Sequence, residues 1–314
     1  MAQQHPDSLF HDKVAIVTGA GRGLGKAYAK ALLARGARVV ISDLGTDQAG
    51  AGADQGLIAE ALSRWRTGDS ADSEASEDGD VGNEAEDAKE ARDGKLGKDA
   101  RLAADAGRLV GHSGRLDHEA GCEALVALAL ERFGQLDILI HNAGWVGYQP
   151  IEDQDEAFLE RALGIQVAAP IWLAKHAWKP LGRSPSARVV LTTSDRALYR
   201  QYALPGLAAY AAGKMAQVGI VNVLSVEGEA QGILVNAISP VARTRLWGVT
   251  APPVDLRPEW VAPGVLYLAS PLCRTTGVIL RASNGQFTAT RFRENAGVTY
   301  PTDLARITCA TVEE

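Results

Sequence analysis

The chain has 314 residues, 46% of them hydrophobic, a formal net charge of −6 and a pI near 5.6. That length suits one large domain, or one domain carrying an insertion, with a core that needs no disulfide staples. The acidic balance gives no electrostatic footprint for nucleic acid or an anionic membrane.

The three cysteines, Cys122, Cys273 and Cys309, share no metal-ligand spacing, so no metal is expected and a reducing compartment is the simpler reading. The opening MAQQHPDSLFHDK has no basic region followed by an apolar run, and no apolar run of about 18 residues is visible. The default expectation is a soluble cytoplasmic protein.

In chain order, residues 13 to 18 (KVAIVT) predict a buried strand, followed by a Gly-rich turn and a helical pattern ending at Gly36. Residues 37 to 43 (ARVVISD) predict the next strand. Strand, turn, helix and strand within about thirty residues form a βαβ unit and imply a parallel sheet. Helices are predicted over 119–132, 156–178, 208–230 and 258–269. They lead into strands over 137–141, 188–192, 233–238 and 277–282.

Residues 69 to 93 break this rhythm. They hold eleven acidic residues against two basic ones, and Val81 is their one large aliphatic residue. Such a run buries too little surface to offset its ordering entropy. It reads as a disordered or loosely helical surface insertion between the second and third strands.

The turn TGAGRGLG spans residues 18 to 25. Gly19, Arg22, Gly23, Leu24 and Gly25 would bring the backbone close to a pyrophosphate at a helix N-terminus. Asp43 closes the second strand. Its carboxylate can accept from both hydroxyls of an adenosine ribose and would repel a 2′-phosphate, which favours NAD over NADP. Arg22 pulls the other way, since a basic side chain there can accept a phosphate. Asn142, Ala143 and Gly144 follow the strand 137–141. Their small turn would let the backbone approach the cofactor, and Asn142 could also tie neighbouring strands together.

Thr193 and Ser194 lie just past the carboxyl end of strand 188–192, where open α/β sheets place their ligands. Tyr210 and Lys214 are one helical turn apart and share a face. A free phenol titrates near pH 10, too high for a good base at neutral pH. A neighbouring ammonium and an oxidised nicotinamide would both favour the phenolate.

TGAGRGLG, NAG, Ser194 and YAAGK together resemble the short-chain dehydrogenase/reductase family. The resemblance covers nearly the whole chain outside the acidic run. It implies a Rossmann-type doubly wound parallel sheet in one domain over residues 10–300, with the insertion at 69–93 inside it and a tail at 301–314. It implies Tyr210 as general acid/base, with Lys214 lowering its pKa and binding the nicotinamide ribose. Ser194 would polarise the carbonyl. Pro240, Val241 and Thr244, in the loop after the sixth strand, would lie near the nicotinamide and its phosphates.

Three pieces are similar to the (3R)-hydroxyacyl-CoA dehydrogenase part of peroxisomal multifunctional enzyme type 2. They are ISDLG at 41–45, LRPEWVAPGVLYLASP at 256–271 and NGQFTATRFRENAG at 284–297.

Three departures stand against the family pattern. Gln166 occupies the place where the family often has an asparagine supporting a water-linked proton path to the lysine. Ser194 and Tyr210 are sixteen residues apart, more than is usual, which predicts a bulge in the intervening loop. Arg115 stands near where relatives have an aspartate beside the adenine.

The short, proline-stiffened span between Arg245 and Pro258 suggests an open cleft. Trp145, Tyr148, Tyr199, Tyr202 and Trp247 are candidates to line it. The expected substrate is a small-molecule secondary alcohol or ketone, with a bulky cyclic or aromatic alcohol ahead of a (3R)-3-hydroxyacyl thioester. An NADP-dependent ketoreductase and an inactive nucleotide-binding regulatory protein are the alternatives. Helix 208–230 is apolar on more than one face, and the family uses it at a dimer face, so a homodimer or homotetramer is expected.

Overall fold

The computed structural model describes residues 9–47, 50–67, 107–244 and 256–292. The acidic run, Trp247 with the rest of 245–255, and the 301–314 tail lie outside the described residues.

Among the described residues, eight strands form one sheet. In chain order they are β1 (Val14–Thr18), β2 (Arg38–Ser42), β3 (Leu109–His112), β4 (Ile138–His141), β5 (Arg188–Thr192), β6 (Leu234–Val241), β7 (Ile279–Ser283) and β8 (Gln286–Thr290). The spatial order is β3-β2-β1-β4-β5-β6-β7-β8. The first seven run parallel, and β8 is antiparallel to β7. Valine, isoleucine and leucine runs such as VAIVT and RVVLT are buried along their whole length. That is the pattern of strands covered on both faces.

The order reverses between β1 and β4, the two strands after which the Gly-rich turn and NAG emerge. Open α/β sheets form their ligand crevice at such a reversal.

The expected sheet was wholly parallel, and its edge differs. Asn284 and Gly285 both have positive φ and join β7 to β8 as a two-residue hairpin. Asn-Gly is the pair that this hairpin turn favours.

Helices cover both faces: α1 (Gly23–Leu33), α2 (Gly56–Thr67), α3 (Glu119–Phe133), α4 (Glu156–Leu163), α5 (Ala169–Leu181), α6 (Asp195–Leu198), α7 (Ala208–Glu229) and α8 (Ala262–Ala269). The helix expected over 156–178 is interrupted. A π turn, Gly164–Ala168, separates α4 from α5. Pro170 supplies a cause. It has no N–H for the Gln166 carbonyl four residues earlier, and its ring crowds that carbonyl. π turns inside helices often mark functional sites.

The span Glu156–Leu181 is long and apolar enough, by length and composition alone, to cross a membrane. Here Ala169, Leu173, Ala177 and Leu181 form a buried stripe at helical spacing, packed in the sheet core.

Candidate active site

The Gly-rich turn closes against NAG by backbone contact. Gly19 and Gly23 have φ of 63° and 52°, which side-chain-bearing residues rarely adopt. A β-carbon on Gly25 would lie 2.2 Å from the Gly19 carbonyl oxygen, and one on Gly19 would lie 2.8 Å from the Ala143 Cα. Asn142 Nδ2 donates to the carbonyls of Thr18 and Gly19, at 3.3 and 3.2 Å. The Thr18 hydroxyl oxygen accepts from the backbone N–H groups of Asn142 and Ala143. Asn142 is therefore a strap between β1 and β4.

Leu24 sits in the first turn of α1, packed against the core. That helix has no side-chain cap and no acidic residue in its first turn. Its leading N–H groups are thus not taken by a capping side chain, which suits a phosphate. A β-carbon on Gly23 would meet Thr244 Cγ2 at 3.4 Å, so the segment after β6 reaches the mouth of this cradle. Pro240 and Val241 belong to β6 itself, opposite Ala282 and Ser283 of β7, rather than to the expected loop.

Asp43 faces the same cradle. Its two carboxylate oxygens accept from the backbone N–H groups of Gly21 (3.0 Å) and Gly45 (2.9 Å). Arg22 turns toward the chain after β2 and donates to the Thr46 carbonyl at 3.3 Å. Arg115 is held by the Asp117 carboxylate.

At the carboxyl end of β5 the second group assembles. Ser194 is buried and caps α6, its hydroxyl oxygen accepting from the Arg196 N–H at 3.3 Å. It lies near Tyr210 and favours the phenolate there. Lys214 is buried and donates through Nζ to the Thr192 carbonyl at 2.8 Å. The Thr193 hydroxyl donates to the Lys214 carbonyl at 2.7 Å, and the Thr192 N–H donates to Gln217 Oε1 at 3.0 Å. Thus β5 and α7 are laced together at the turn that carries Tyr210 and Lys214.

Burial lowers the Lys214 pKa to about 8. In the protein by itself the Tyr210 pKa is raised by burial, against the opposing pull of Ser194 and Arg196. Arg196 is a cation that favours the phenolate here, and Lys214 Nζ is held on the Thr192 carbonyl one helical turn away.

Gln166 is fully buried on the π turn and donates through Nε2 to the Trp145 carbonyl at 3.1 Å. Its Oε1 has no hydrogen-bond partner. The adjoining carbonyl of Ile165 is held by His141 Nε2 at 3.0 Å, while His141 Nδ1 contacts the Thr18 hydroxyl at 3.1 Å. The partners assign the tautomer: Nε2–H donates to the carbonyl, and Nδ1 accepts from the hydroxyl. Burial drives the His141 pKa down to about 3, so it stays neutral.

The stretch between Ser194 and Tyr210 is an ordered wall rather than a simple bulge. It forms α6 and a 3-10 turn, Arg200–Tyr202. Asp195 points inward, accepts from the Ser239 hydroxyl, and takes a two-pronged contact from Arg281 of β7 at 2.6 to 3.1 Å. The Arg281 guanidinium lies 5.0 and 5.5 Å from the ring centres of Tyr199 and Tyr202. The Tyr199 hydroxyl reaches Thr290 of β8 at 3.1 Å. Tyr148 is half exposed and accepts from Arg196 Nη1 at 2.8 Å.

Trp145, one of the candidates to line the cleft, is buried against Phe158, with ring centres 4.8 Å apart. Sequence reasoning missed His141, Arg196 and Arg281. The histidine before NAG and the arginine two residues past Ser194 were the available signals. Arg281 had none. Among the described residues no three His, Cys, Asp or Glu side chains converge as metal ligands.

The profile of the short chain dehydrogenase family matches residues 13–77 and 92–247. Peroxisomal multifunctional enzyme A of Dictyostelium discoideum is 31% identical over 94% of this chain and 58% of its own length. Peroxisomal multifunctional enzyme type 2 of Mus musculus is 29% identical over 92% of this chain and 34% of its own length. The chain thus spans little more than half of the first relative and a third of the second. Among solved structures, the NADH-dependent reductase A1-R′ complexed with NAD superposes with a TM-score of 0.63 at 25% identity, covering 89% of this chain and 98% of its own.

These relatives overturn the cytoplasmic expectation, since both carry a peroxisomal name. Composition and the lack of a secretory pattern do not report on a compartment reached by a receptor-read address. With the glycine cradle, the reversal of strand order and the Ser194–Tyr210–Lys214 group on one sheet edge, the chain belongs to the short-chain dehydrogenase family of nicotinamide-dependent oxidoreductases.

Proposed function

We propose that the chain is an NAD-dependent dehydrogenase of (3R)-3-hydroxyacyl thioesters. The observation that carries the catalytic part is the placement of buried Ser194 after β5 and of Tyr210 one helical turn before buried Lys214, with Lys214 tied to β5 through Thr192, at the sheet edge that also bears the glycine cradle. When bound, the nicotinamide supplies the hydride acceptor or donor.

The chain's own residues handle the oxygen and its proton. Ser194 Oγ donates to the substrate oxygen and orients it. Tyr210 takes the hydroxyl proton in oxidation and returns it in reduction. Lys214 and Arg196 favour the phenolate that this needs. Gly19, Gly23, Gly25 and Thr244 would hold the pyrophosphate. Asp43 would take the adenosine ribose hydroxyls and disfavour a 2′-phosphate.

The names of the relatives favour the thioester over the bulky cyclic or aromatic alcohol that the sequence reading placed first. The half-exposed Tyr148 and Tyr202 leave an open flank for an acyl chain. The test is NADH formation at 340 nm with NAD or NADP against 3-hydroxyacyl thioesters of both configurations, cyclic alcohols and aryl carbinols. Turnover of the R thioesters with NAD is expected. Turnover restricted to the carbinols would reject this substrate class.

We further infer a homodimer or homotetramer. A shallow apolar groove between α5 and α7 is lined by Ile171, Trp178, Ile220, Val223 and Leu224. Ile171 and Val223 are exposed in the single chain. Light scattering should report a multimer, and Val223→Asp should dissociate it.

A further inference from the structure

The loop between β2 and α2 is tied to itself at both ends. Its described residues are 44–47 and 50–55. At the neck the Asp54 N–H donates to the Leu44 carbonyl at 3.0 Å, and a β-carbon on Gly45 would lie 2.5 Å from the Asp54 carbonyl oxygen. At the far end the Asp47 N–H donates to the Ala51 carbonyl at 3.0 Å, and the Ala51 N–H donates to Asp47 Oδ1 at 2.8 Å. Compact surface loops with joined ends often carry function.

The far end reaches across the sheet. A β-carbon on Gly50 would stand 2.4, 2.5 and 2.7 Å from Cδ1, Nε1 and Cγ of Trp145, so the glycine backbone lies against the indole. Trp145 follows NAG at the end of β4, the neck stands at β2, and β1 lies between those strands. The loop therefore crosses the carboxyl end of β1, where the Gly-rich turn emerges. Part-way along it, the Thr46 carbonyl accepts from Arg22 of that turn at 3.3 Å. Gly19 against Ala143 closes the floor of the cradle, and the loop spans the same gap from outside.

Trp145 is a firm anchor. Phe158 packs on it with ring centres 4.8 Å apart, the Arg161 guanidinium lies 5.2 Å from its ring centre, and a β-carbon on Gly147 would meet its far edge at 2.3 Å. Yet its Nε1–H, buried beneath Gly50, has no hydrogen-bond partner among the described residues. Closure is thus made by packing and strands one donor. Opening would return that donor to water, whereas a dinucleotide beneath the loop would bring phosphate and hydroxyl acceptors. An occupant of the crevice therefore favours the closed loop.

We propose that the loop between β2 and α2 is a clasp over the dinucleotide, latched by Gly50 on Trp145, and that its opening sets the rate at which the nicotinamide cofactor leaves. This rests on the reading of the crevice as the dinucleotide site.

The test compares the wild type with Gly50→Ala and Gly52→Ala. Both glycines have φ of 73°, so alanine strains the backbone alike, but nothing lies within 4 Å of a β-carbon at 52. Stopped-flow fluorescence follows NADH release on displacement by excess NAD. Hydrogen exchange over residues 44–55, with and without NADH, follows opening of the loop. Gly50→Ala should release NADH about tenfold faster than Gly52→Ala, since a weakened closure acts on the off-rate. In the wild type NADH should slow exchange in the loop. Without nucleotide the loop should exchange faster in Gly50→Ala than in Gly52→Ala.

Equal release by the two variants overturns the clasp. Loop exchange in the wild type that NADH leaves unchanged overturns the coupling of closure to the cofactor. Failure of all three proteins to bind NADH would reject the dinucleotide reading and the clasp with it, while exchange without nucleotide still decides whether Gly50 on Trp145 holds the loop.

Discussion

The two halves of the crevice are built by different means. The cofactor half is backbone against backbone: Gly19, Gly25 and Ala143 touch without side chains, and Asn142 straps the turn with its amide. The chemistry half is side chain against side chain: Lys214 on Thr192, Gln166 against Gly213, and Asp195 under Arg281. A backbone contact leaves a mark in sequence, because only glycine permits it. A side-chain constellation can be met by many residue combinations, so it is read from the fold. The first half is generic to nicotinamide binding. The second makes this chain particular.

The largest expected effect falls on the chemistry half alone. Tyr210→Phe should cut turnover by about 10²–10⁴-fold while NADH binding persists, as removal of a general acid/base does. An unchanged rate would strip Tyr210 of its role. Gly25→Ala should break the cofactor half instead. Its β-carbon meets the Gly19 carbonyl at 2.2 Å, so binding of NADH should fail and stability drop by about 1–3 kcal/mol, the usual range for overpacking. Calorimetry and fluorescence titration would check both.

Arg281→Ala strips the partner from a mostly buried carboxylate. Arg281 keeps about a third of its side chain in water, so the loss should be about 2 kcal/mol rather than the full penalty of a buried pair. KM should rise as the Tyr199–Tyr202 wall loosens, and Asp195→Asn with Arg281→Ala should recover part of the stability. Wild-type KM in Arg281→Ala would show the wall to be independent of the pair.

His141 joins the two halves and gives a pH signature. Its pKa is about 3 folded and about 6.5 unfolded, so the unfolded chain binds more protons between those values. Stability is therefore full above about pH 6.5 and lost as pH falls toward 3, by about 2 kcal/mol at pH 5. Melting temperatures from pH 7 to 5 should fall, and less steeply in His141→Asn. Smallest is the effect of Arg196→Met. Removing this cation should move the rising limb of kcat/KM in the oxidation direction to higher pH, since Arg196 favours the phenolate. A limb that stays in place would assign the phenolate's stabilisation to Lys214 and the cofactor alone.

Much of the fold was legible. Parallel strands were visible as runs of β-branched residues, and the βαβ start as a glycine turn between two of them. One legible signal was passed over: Asn284-Gly285 between two short strands is a hairpin, and it turns the sheet edge antiparallel. The break at 164–168 was also written in the sequence, as Pro170, but a helical period is insensitive to one widened turn.

By itself the sequence determined the strand pattern, the glycine cradle, the Tyr210–Lys214 spacing and the family, because each depends on local geometry or on residue types that only one backbone path accepts. The tertiary structure alone decided that Arg281 lies under Asp195 from a strand 86 residues away, that Trp145 is core rather than cleft, and that Gly213 makes room for Gln166. Those are contacts between segments distant in the chain, and no local propensity encodes which side chains a folded sheet will bring face to face.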